Sequence, residues 1–261
     1  MFDYHLHSSV SFDSDESAID MAKAAAKAGL KEICFTDHYD PHFFEDKTGY
    51  LFDFDEYAKA YDCLEVDGLL IRRGMEFGLT DWDKPLLKEL LQLRRFDFII
   101  GSVHFADGYD PYDKEYWQDK TTEQAFLCYL EQVLNCVRLH DDYDVLGHLT
   151  YVCKSAHNQS NKEPDYNKYS DLVDEIFKTI IAKGKGIEIN TSGLDKIGAF
   201  LPSEIFVRRY KELGGEIVTI GSDAHDAATV GKYTDKAMAL VKDLFGHVCT
   251  FEQRQAIFHK L

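Results

Sequence analysis

The chain alternates between segments that predict strands and segments that predict helices, over its whole length. Apolar or period-2 runs predict seven strands, at residues 2–7, 31–36, 69–77, 97–103, 144–146, 186–190 and 216–220. Helical patterns fill the intervals and the end of the chain, at 18–28, 53–67, 86–93, 122–139, 168–182, 203–213, 235–245 and 251–259. This alternation predicts a parallel sheet with helices outside it, either open or closed into a barrel.

Polar residues at the ends of the strands favour the barrel. Six of the seven strands carry His, Asp or Glu at or just past their C-terminal ends: His5 and His7, His38, Glu76, His104, His148, and Asp223 with His225. An open sheet concentrates its site at one switch point, whereas a barrel collects side chains from many strand ends on one face. We therefore expect an α/β fold, a distorted TIM-like (β/α)7 barrel, with residues 1–261 forming a single domain.

The same residues have the chemistry of metal ligands. His5 and His7 are two apart on a predicted strand, so both imidazoles point to one face, and Asp13 follows with a carboxylate. Taken alone, this pair is more typical of an ordinary half-buried edge strand, and some of the other histidines could be core residues held by hydrogen bonds. Together, however, six His, two Asp and one Glu are too many ligands for one ion. They predict two or three divalent ions of the Zn, Fe or Mn class.

Composition excludes several functional classes. A net charge of −17 argues against a nucleic-acid binder, although it leaves room for a small phosphorylated substrate at a site with bound cations. No apolar run is long enough for a membrane helix, and the N-terminus lacks the pattern of a signal peptide. We therefore expect a cytoplasmic protein without a membrane partner, whose six cysteines are reduced and mostly buried. The oligomeric state stays open.

Six motifs resemble the ordered signature of the polymerase and histidinol phosphatase superfamily. In chain order they are His5-Leu-His7, Thr36-Asp37-His38, Gly74-Met75-Glu76, Gly101-Ser102-Val103-His104, Gly147-His148 and Gly221-Ser222-Asp223-Ala224-His225. They span nearly the whole chain. The run through His104 to Phe105, and the run Glu188-Ile189-Asn190-Thr191-Ser192-Gly193, look most like the stand-alone histidinol-phosphate phosphatases.

The resemblance implies a distorted seven-stranded barrel with a trinuclear metal site. By motif position, the first ion would be held by His5, His7, Glu76 and Asp223, the second by Glu76, His104 and His148, and the third by Asp13, His38 and His225. Glu76 is the only Glu at a strand end and has two oxygens with which to bridge ions. A hydroxide between two ions would be the nucleophile, and Glu76, Asp223 and His225 would be the catalytic residues.

The implied reaction is hydrolysis of a phosphomonoester, L-histidinol phosphate in histidine biosynthesis. Phosphatases of this family usually carry basic residues after strands five and six, and here those segments offer Lys154 and Asp195-Lys196. We expect Lys154 and Lys196, with Asn190, to bind the substrate, and Asp195 to favour a cationic one. The two lysines are equally compatible with an ordinary solvated surface. Two alternatives stay open: another small sugar or nucleotide phosphate as substrate, and a non-catalytic metal-binding domain.

Two further segments have open interpretations. Residues 105–120 predict a long aromatic and acidic loop, which could cover the substrate as a lid or pack against the barrel rim. The remaining histidines show no paired ligand spacing, so we expect them at the surface: His42, His140, His157, His247 and His259.

Overall fold

The computed structural model describes residues 1–41, 49–81, 84–160 and 162–261. The strands are β1 (Phe2–Leu6), β2 (Glu32–Phe35), β3 (His38–Asp40), β4 (Tyr50–Leu51), β5 (Leu70–Gly78), β6 (Phe98–Ser102), β7 (Val145–Leu146), β8 (Gly186–Asn190), β9 (Val218–Gly221), β10 (His247–Glu252) and β11 (Gln255–Lys260). The α-helices are α1 (Ala18–Lys27), α2 (Phe54–Tyr61), α3 (Lys84–Leu93), α4 (Lys114–Trp117), α5 (Thr122–Leu139), α6 (Tyr166–Ala182), α7 (Gly193–Lys196), α8 (Glu204–Glu212) and α9 (Thr234–Leu244). A 3-10 helix covers Tyr151–Lys154.

Seven parallel strands form a nearly closed barrel, in the order β1-β2-β5-β6-β7-β8-β9. The first and last strands meet through two backbone hydrogen bonds, in which the N–H of Asp223 donates to His5 at 2.9 Å and the N–H of His7 donates to Ala224 at 2.9 Å. The predicted (β/α)7 barrel is therefore confirmed. Because all seven strands run in one direction, their C-terminal ends lie on one face.

The strands are buried on both faces, as expected of a parallel sheet covered by helices. All residues of β2, β6 and β8 are buried. The barrel interior contains an apolar cluster of Tyr4, Cys34, Phe98, Ile100 and Val145. The C-terminal face is thus the open end at which polar side chains can gather.

The helix predicted at 251–259 is wrong. Residues 247–260 form an antiparallel hairpin of β10 and β11, with a turn at Gln253 and Arg254, both at positive φ (48° and 66°). Buried Cys249 and Phe251 of β10 join the apolar cluster inside the barrel, at the end away from the strands' C-termini. The Arg254 guanidinium also donates to the Asp144 carboxylate. Burial of Cys249 and Phe251 inside the barrel outweighed the local helical pattern.

Smaller differences concern the connections. The helix predicted at 53–67 ends early, at Tyr61, and the sequence patterns missed β3, β4, α4 and α7. Within residues 105–120, Tyr116 is fully buried, whereas Tyr109 and Tyr112 are exposed. His140 is buried against the carbonyl oxygen of Thr80, so its prediction as a surface residue is wrong. His42 lies outside the described residues.

The prediction that the cysteines are mostly buried agrees with the structure. All six cysteines are free; Cys34, Cys136, Cys153 and Cys249 are buried and Cys63 is exposed. Over the described ranges, none of the helices has both the length and the apolar character that crossing a membrane requires.

Candidate metal centre

The nine predicted ligands converge on the C-terminal face of the barrel. His5 and His7 are fully buried at the floor of this face. The other seven line a cavity of about 570 Å³: Asp13, His38, Glu76, His104, His148, Asp223 and His225. A cavity of this volume, with its polar groups gathered on one side, is typical of a small-molecule site.

Glu76 lies at the centre of the cluster and is fully buried. Its Oε1 is 2.8 Å from Nε2 of His148 and 3.3 Å from Nε2 of His104. Its Oε2 is 3.1 Å from Nε2 of His5 and 3.1 Å from Nδ1 of His38. The two oxygens of one carboxylate therefore face two different sets of imidazoles, which is the arrangement a bridging ligand needs.

Asp223 faces the imidazole of His5, which belongs to the Oε2 set, together with that of His7. Its Oδ1 is 3.4 Å from Nε2 of His7 and 3.6 Å from Nε2 of His5. Its Oδ2 is 2.7 Å from Nζ of Lys154. The backbone of Asp223 has φ of 56°, in the left-handed region that Asp tolerates better than most residues. This turn after β9 directs the carboxylate into the barrel mouth.

A third group lies toward solvent. The Asp13 Oδ2 atom is 3.0 Å from Nε2 of His225 and 3.5 Å from Nε2 of His38. The ring of His7 contacts the rings of both His225 and His38, with centroid distances of 4.1 and 4.4 Å. Ligand atoms of these four residues all lie within 4.8 Å of one another. The side chains of Asp13 and His225 are 32% and 30% exposed, so this group is the accessible edge of the cluster.

The donor set fits bound divalent cations. Oε2 of Glu76 makes no hydrogen bond within the described structure, and neither do three buried imidazole nitrogens within 3.6 Å of it: Nε2 of His5, Nε2 of His7 and Nδ1 of His38. Buried polar atoms without partners are costly, and these four point toward one another. A cation between imidazole nitrogens and carboxylate oxygens satisfies all of them, and such mixed ligands suit Zn, Mn and Fe.

The electrostatics of the cluster lead to the same conclusion. Burial opposes a charge on His5, but the carboxylates of Glu188, Glu76 and Asp223 raise its pKa well above the usual value. Burial likewise opposes a charge on His104, yet neighbouring carboxylates raise its pKa to about 10. Burial alone would raise the pKa of Glu76, but the surrounding imidazoles hold it well below its usual range. The carboxylates thus demand positive charge, which protons or metal ions can supply.

Two carboxylates behind the cluster orient its imidazoles, and the sequence patterns did not identify either. Glu188 approaches Nδ1 of His5 at 2.6 Å and accepts the backbone N–H of His148 at 2.9 Å. Asp40 approaches Nδ1 of His104 at 2.8 Å. In each case the other ring nitrogen, Nε2, faces Glu76. Second partners of this kind fix the tautomer of ligand histidines. The available signals were the spacing of Asp40 two residues after His38, and of Glu188 two residues before Asn190.

The predicted substrate-binding residues lie at different distances from the metal cluster. Lys154 contacts Asp223, and the amide of Asn190 donates to the same carboxylate oxygen at 3.3 Å. Burial would lower the pKa of Lys154, but Asp223 raises it above the usual value, so the ammonium stays charged. Lys196 lies farther out, exposed, with Nζ 3.4 Å from the Tyr112 hydroxyl. All of these except Asn190 line the cavity.

Asp195 does not present an unbalanced charge to the cavity. Its carboxylate accepts hydrogen bonds from Nζ of Lys232 at 2.6 Å and from the Tyr233 hydroxyl at 3.0 Å. Lys232, which also lines the cavity, was not predicted from the sequence. The expected role of Asp195 in favouring a cationic substrate therefore has little support in its contacts.

Comparison with known proteins gives a consistent result over the whole chain. Residues 3–192 match the family model described as "PHP domain". The chain is 33% identical, over 97% of its length and 98% of the relative's, to a "Probable histidinol-phosphatase" of Clostridium acetobutylicum. It is 32% identical, over 95% of its length and 93% of the relative's, to the "Histidinol-phosphatase" of Lactococcus lactis. The crystal structure of a histidinol phosphate phosphatase from Lactococcus lactis, complexed with zinc, L-histidinol and phosphate, superposes with a TM-score of 0.86 at 30% identity, covering 98% of both chains.

Proposed function

The chain belongs to the PHP domain family, and on that basis we propose that it is a metal-dependent phosphomonoesterase that hydrolyses L-histidinol phosphate to L-histidinol and phosphate. The observation that carries the proposal is the position of Glu76, whose two oxygens face separate sets of imidazoles beside the charged Lys154. A cavity of about 570 Å³ accommodates a small ester at this point. The reaction belongs to histidine biosynthesis in the cytoplasm, and the whole chain, residues 1–261, acts as one domain.

The proposed ligands fall into three groups, of which the first two share Glu76. His5, His7, Glu76 and Asp223 would hold one ion, Glu76, His104 and His148 a second, and Asp13, His38 and His225 a third. Bound Zn, Fe or Mn ions lower the pKa of water toward neutrality and offset the charge of the phosphate. The carboxylate of Glu76 would provide one oxygen to each of the first two positions.

Asp223 and His225 connect this cluster to the substrate. Nδ1 of His225 donates to the carbonyl oxygen of Asp223 at 2.9 Å, and this contact turns Nε2 toward Asp13 at the accessible edge. The Asp223 carboxylate faces the imidazoles with one oxygen and Lys154 with the other. Asp223 would thereby hold the Lys154 ammonium beside the reacting phosphate.

Lys154, Lys196 and Asn190 would bind the substrate. The ammonium of Lys154 has three protons and uses one on Asp223, so two can reach phosphate oxygens. Lys196 also lines the cavity, next to the Tyr112 hydroxyl, and adds a second positive charge. The Asn190 amide orients Asp223 from below. The partner is thus a small molecule, since the charge of −17 disfavours nucleic acid.

The test is turnover on a panel of phosphomonoesters after reconstitution with Zn, Mn or Fe. We expect kcat/KM for L-histidinol phosphate to exceed that for sugar phosphates and nucleoside monophosphates by at least about 100-fold, the discrimination that unpaired polar groups can supply. A higher kcat/KM for one of the other esters would show that this ester, and not L-histidinol phosphate, is the preferred substrate. The absence of turnover on every ester, in folded metal-loaded protein, would favour a non-catalytic metal-binding domain.

A further inference from the structure

A serine lies between one of the candidate ligand imidazoles and a buried carboxylate. Nδ1 of His7 is 3.1 Å from the hydroxyl oxygen of Ser11, and that hydroxyl donates to Oδ1 of Asp37 at 3.1 Å. His7 and Asp37 are fully buried, and Ser11 is 5% exposed. The imidazoles of His5 and His104 contact their carboxylates directly. His7 differs from them because a hydroxyl separates its ring from the carboxylate.

The carboxylate of Asp37 accepts hydrogen bonds from three sides. Its Oδ1 accepts the backbone N–H of Ser8 at 2.8 Å as well as the Ser11 hydroxyl, and its Oδ2 accepts the Tyr61 hydroxyl. Ser8 lies just after β1, and Tyr61 is the last residue of α2. Two elements of the fold therefore hold the carboxylate in place, as a fixed acceptor directed at Ser11.

The contacts of Ser11 determine the direction of each hydrogen bond. A serine hydroxyl has one proton to donate and two lone pairs that accept. The Asp37 carboxylate takes the proton, and the backbone N–H of His38 donates to the hydroxyl oxygen at 3.0 Å. One accepting position remains, and Nδ1 of His7 faces it. Nδ1 must therefore be the donor, which places the proton of this imidazole on Nδ1.

We propose that Ser11 and Asp37 are positioning residues that fix the tautomer of His7, so that the lone pair of Nε2 is turned toward a bound divalent ion. Nε2 of His7 makes no hydrogen bond within the described structure, and it lies 3.4 Å from Oδ1 of Asp223 and 3.6 Å from Oε2 of Glu76. A histidine whose other nitrogen already has an acceptor is oriented for metal binding. This inference rests on the metal centre of the proposed function and is independent of the substrate.

The test is the affinity of the protein for zinc, measured without substrate by competition with a chromogenic chelator. Ser11→Ala removes the hydroxyl between ring and carboxylate. Ser155→Ala is the matched control, because Ser155 is also buried, at 4% exposed, but its hydroxyl donates to the carbonyl oxygen of Tyr112 at 3.0 Å. Asp37→Asn keeps the shape of the side chain and removes its charge. The double variant of Ser11→Ala and Asp37→Asn shows whether the two residues act through each other.

We expect Ser11→Ala to lower the zinc affinity by about 10- to 100-fold, the range for losing a group that supports a metal ligand. Ser155→Ala should stay within about 2-fold of the wild type, since its hydroxyl contacts no ligand. Asp37→Asn should cost about 10-fold alone but no more than about 2-fold in the Ser11→Ala background, where the hydroxyl that connects Asp37 to His7 is absent.

Nuclear magnetic resonance of the zinc-loaded protein, with isotope-labelled histidine, shows which ring nitrogen of His7 carries the proton. We expect the proton on Nδ1, with slow exchange into solvent, in the wild type and in Ser155→Ala. In Ser11→Ala the Nδ1 proton loses its acceptor and should exchange faster. A serine that only filled space would not affect the exchange of this proton.

The outcomes separate this inference from the metal centre on which it rests. A His7 proton on Nε2 in the zinc-loaded wild type, or wild-type zinc affinity in Ser11→Ala, overturns the inference and leaves the metal centre standing. Losses that multiply in the double variant, or an equal loss in Ser155→Ala, also overturn it. If the wild type itself does not bind zinc, the proposed metal centre fails, and the role of Ser11 and Asp37 fails with it.

Discussion

Replacing Glu76 by Gln is the sharpest test of the site, because the substitution keeps shape and removes charge. One carboxylate oxygen becomes an NH2 group, which donates rather than accepts. Whichever oxygen is replaced, an amide donor then faces imidazole nitrogens about 3 Å away, at His148 and His104 on one side or at His5 and His38 on the other. Glu76 is fully buried, so the amide cannot turn away into bulk solvent.

The size of the effect follows from the number of contacts. Losing a residue that only supports a metal ligand typically costs about 10–100-fold in metal affinity or activity. Glu76 contacts both sets of imidazoles directly, so we expect kcat/KM to fall by more than about 100-fold, which is more than about 2.7 kcal/mol of transition-state stabilisation. The loss should exceed that of any single histidine substitution in the cluster, since each histidine serves one set.

The assay pairs turnover of L-histidinol phosphate with elemental analysis of the same preparations. Glu188→Gln is the matched control, because Glu188 is also a buried Glu but lies behind His5 and His148 rather than between the sets. We expect Glu188→Gln to remain in the range of about 10–100-fold.

Near-normal turnover of Glu76→Gln with a full metal complement would refute the bridging role. Equal losses of kcat/KM in Glu76→Gln and Glu188→Gln would refute it as well, because a carboxylate between the two sets of imidazoles would then contribute no more than one behind them. A circular dichroism spectrum and melting curve for each variant establish that it is folded.

Three further predictions concern the metals, the lysines and the hairpin. The reconstituted protein should bind two to three divalent ions per chain, and more tightly as pH rises from 6 to 8, because the pKa of metal-free His104 is about 10 and its proton must leave. Lys154→Met should raise KM and lower kcat/KM by about 10- to 100-fold at unchanged metal content, with a smaller effect for exposed Lys196→Met. Phe251→Ala should lower the free energy of unfolding by about 3–5 kcal/mol, because the ring is 3% exposed and packs 4.8 Å from the Phe98 ring.

Each of these has a contrary result. One ion or fewer per folded chain, or an affinity that falls with pH, would contradict the metal prediction. Wild-type kinetics in the Lys154→Met and Lys196→Met double variant would show that the metals alone hold the phosphate. For the hairpin, the control is Phe258→Ala on β11, which is 52% exposed and should cost no more than about 0.5 kcal/mol. Equal losses at Phe251 and Phe258 would argue against a specific role in closing the barrel.

The sequence determined the barrel and the convergence of the inner candidate ligands, because both depend on local, directional patterns. Strand–helix alternation specifies parallel strands, and parallel strands place all their C-terminal ends on one face. Residues at those ends, such as Glu76 and His148, therefore had to come together whatever the details of packing. The failure at residues 251–259 has the same origin, since a local pattern could not show that the barrel interior needed the Phe251 ring.

Only the tertiary structure decided which polar groups are paired. Asp195 and Asp110 are both loop carboxylates near the cavity, and nothing in their sequence neighbours distinguishes them. Lys232, 37 residues away from Asp195, neutralises it, whereas Asp110 meets only neutral donors. Glu188 likewise acts on His5 across 183 residues of chain. Charge balance and ligand orientation depend on distances between atoms far apart in sequence, and those distances exist only once the barrel closes.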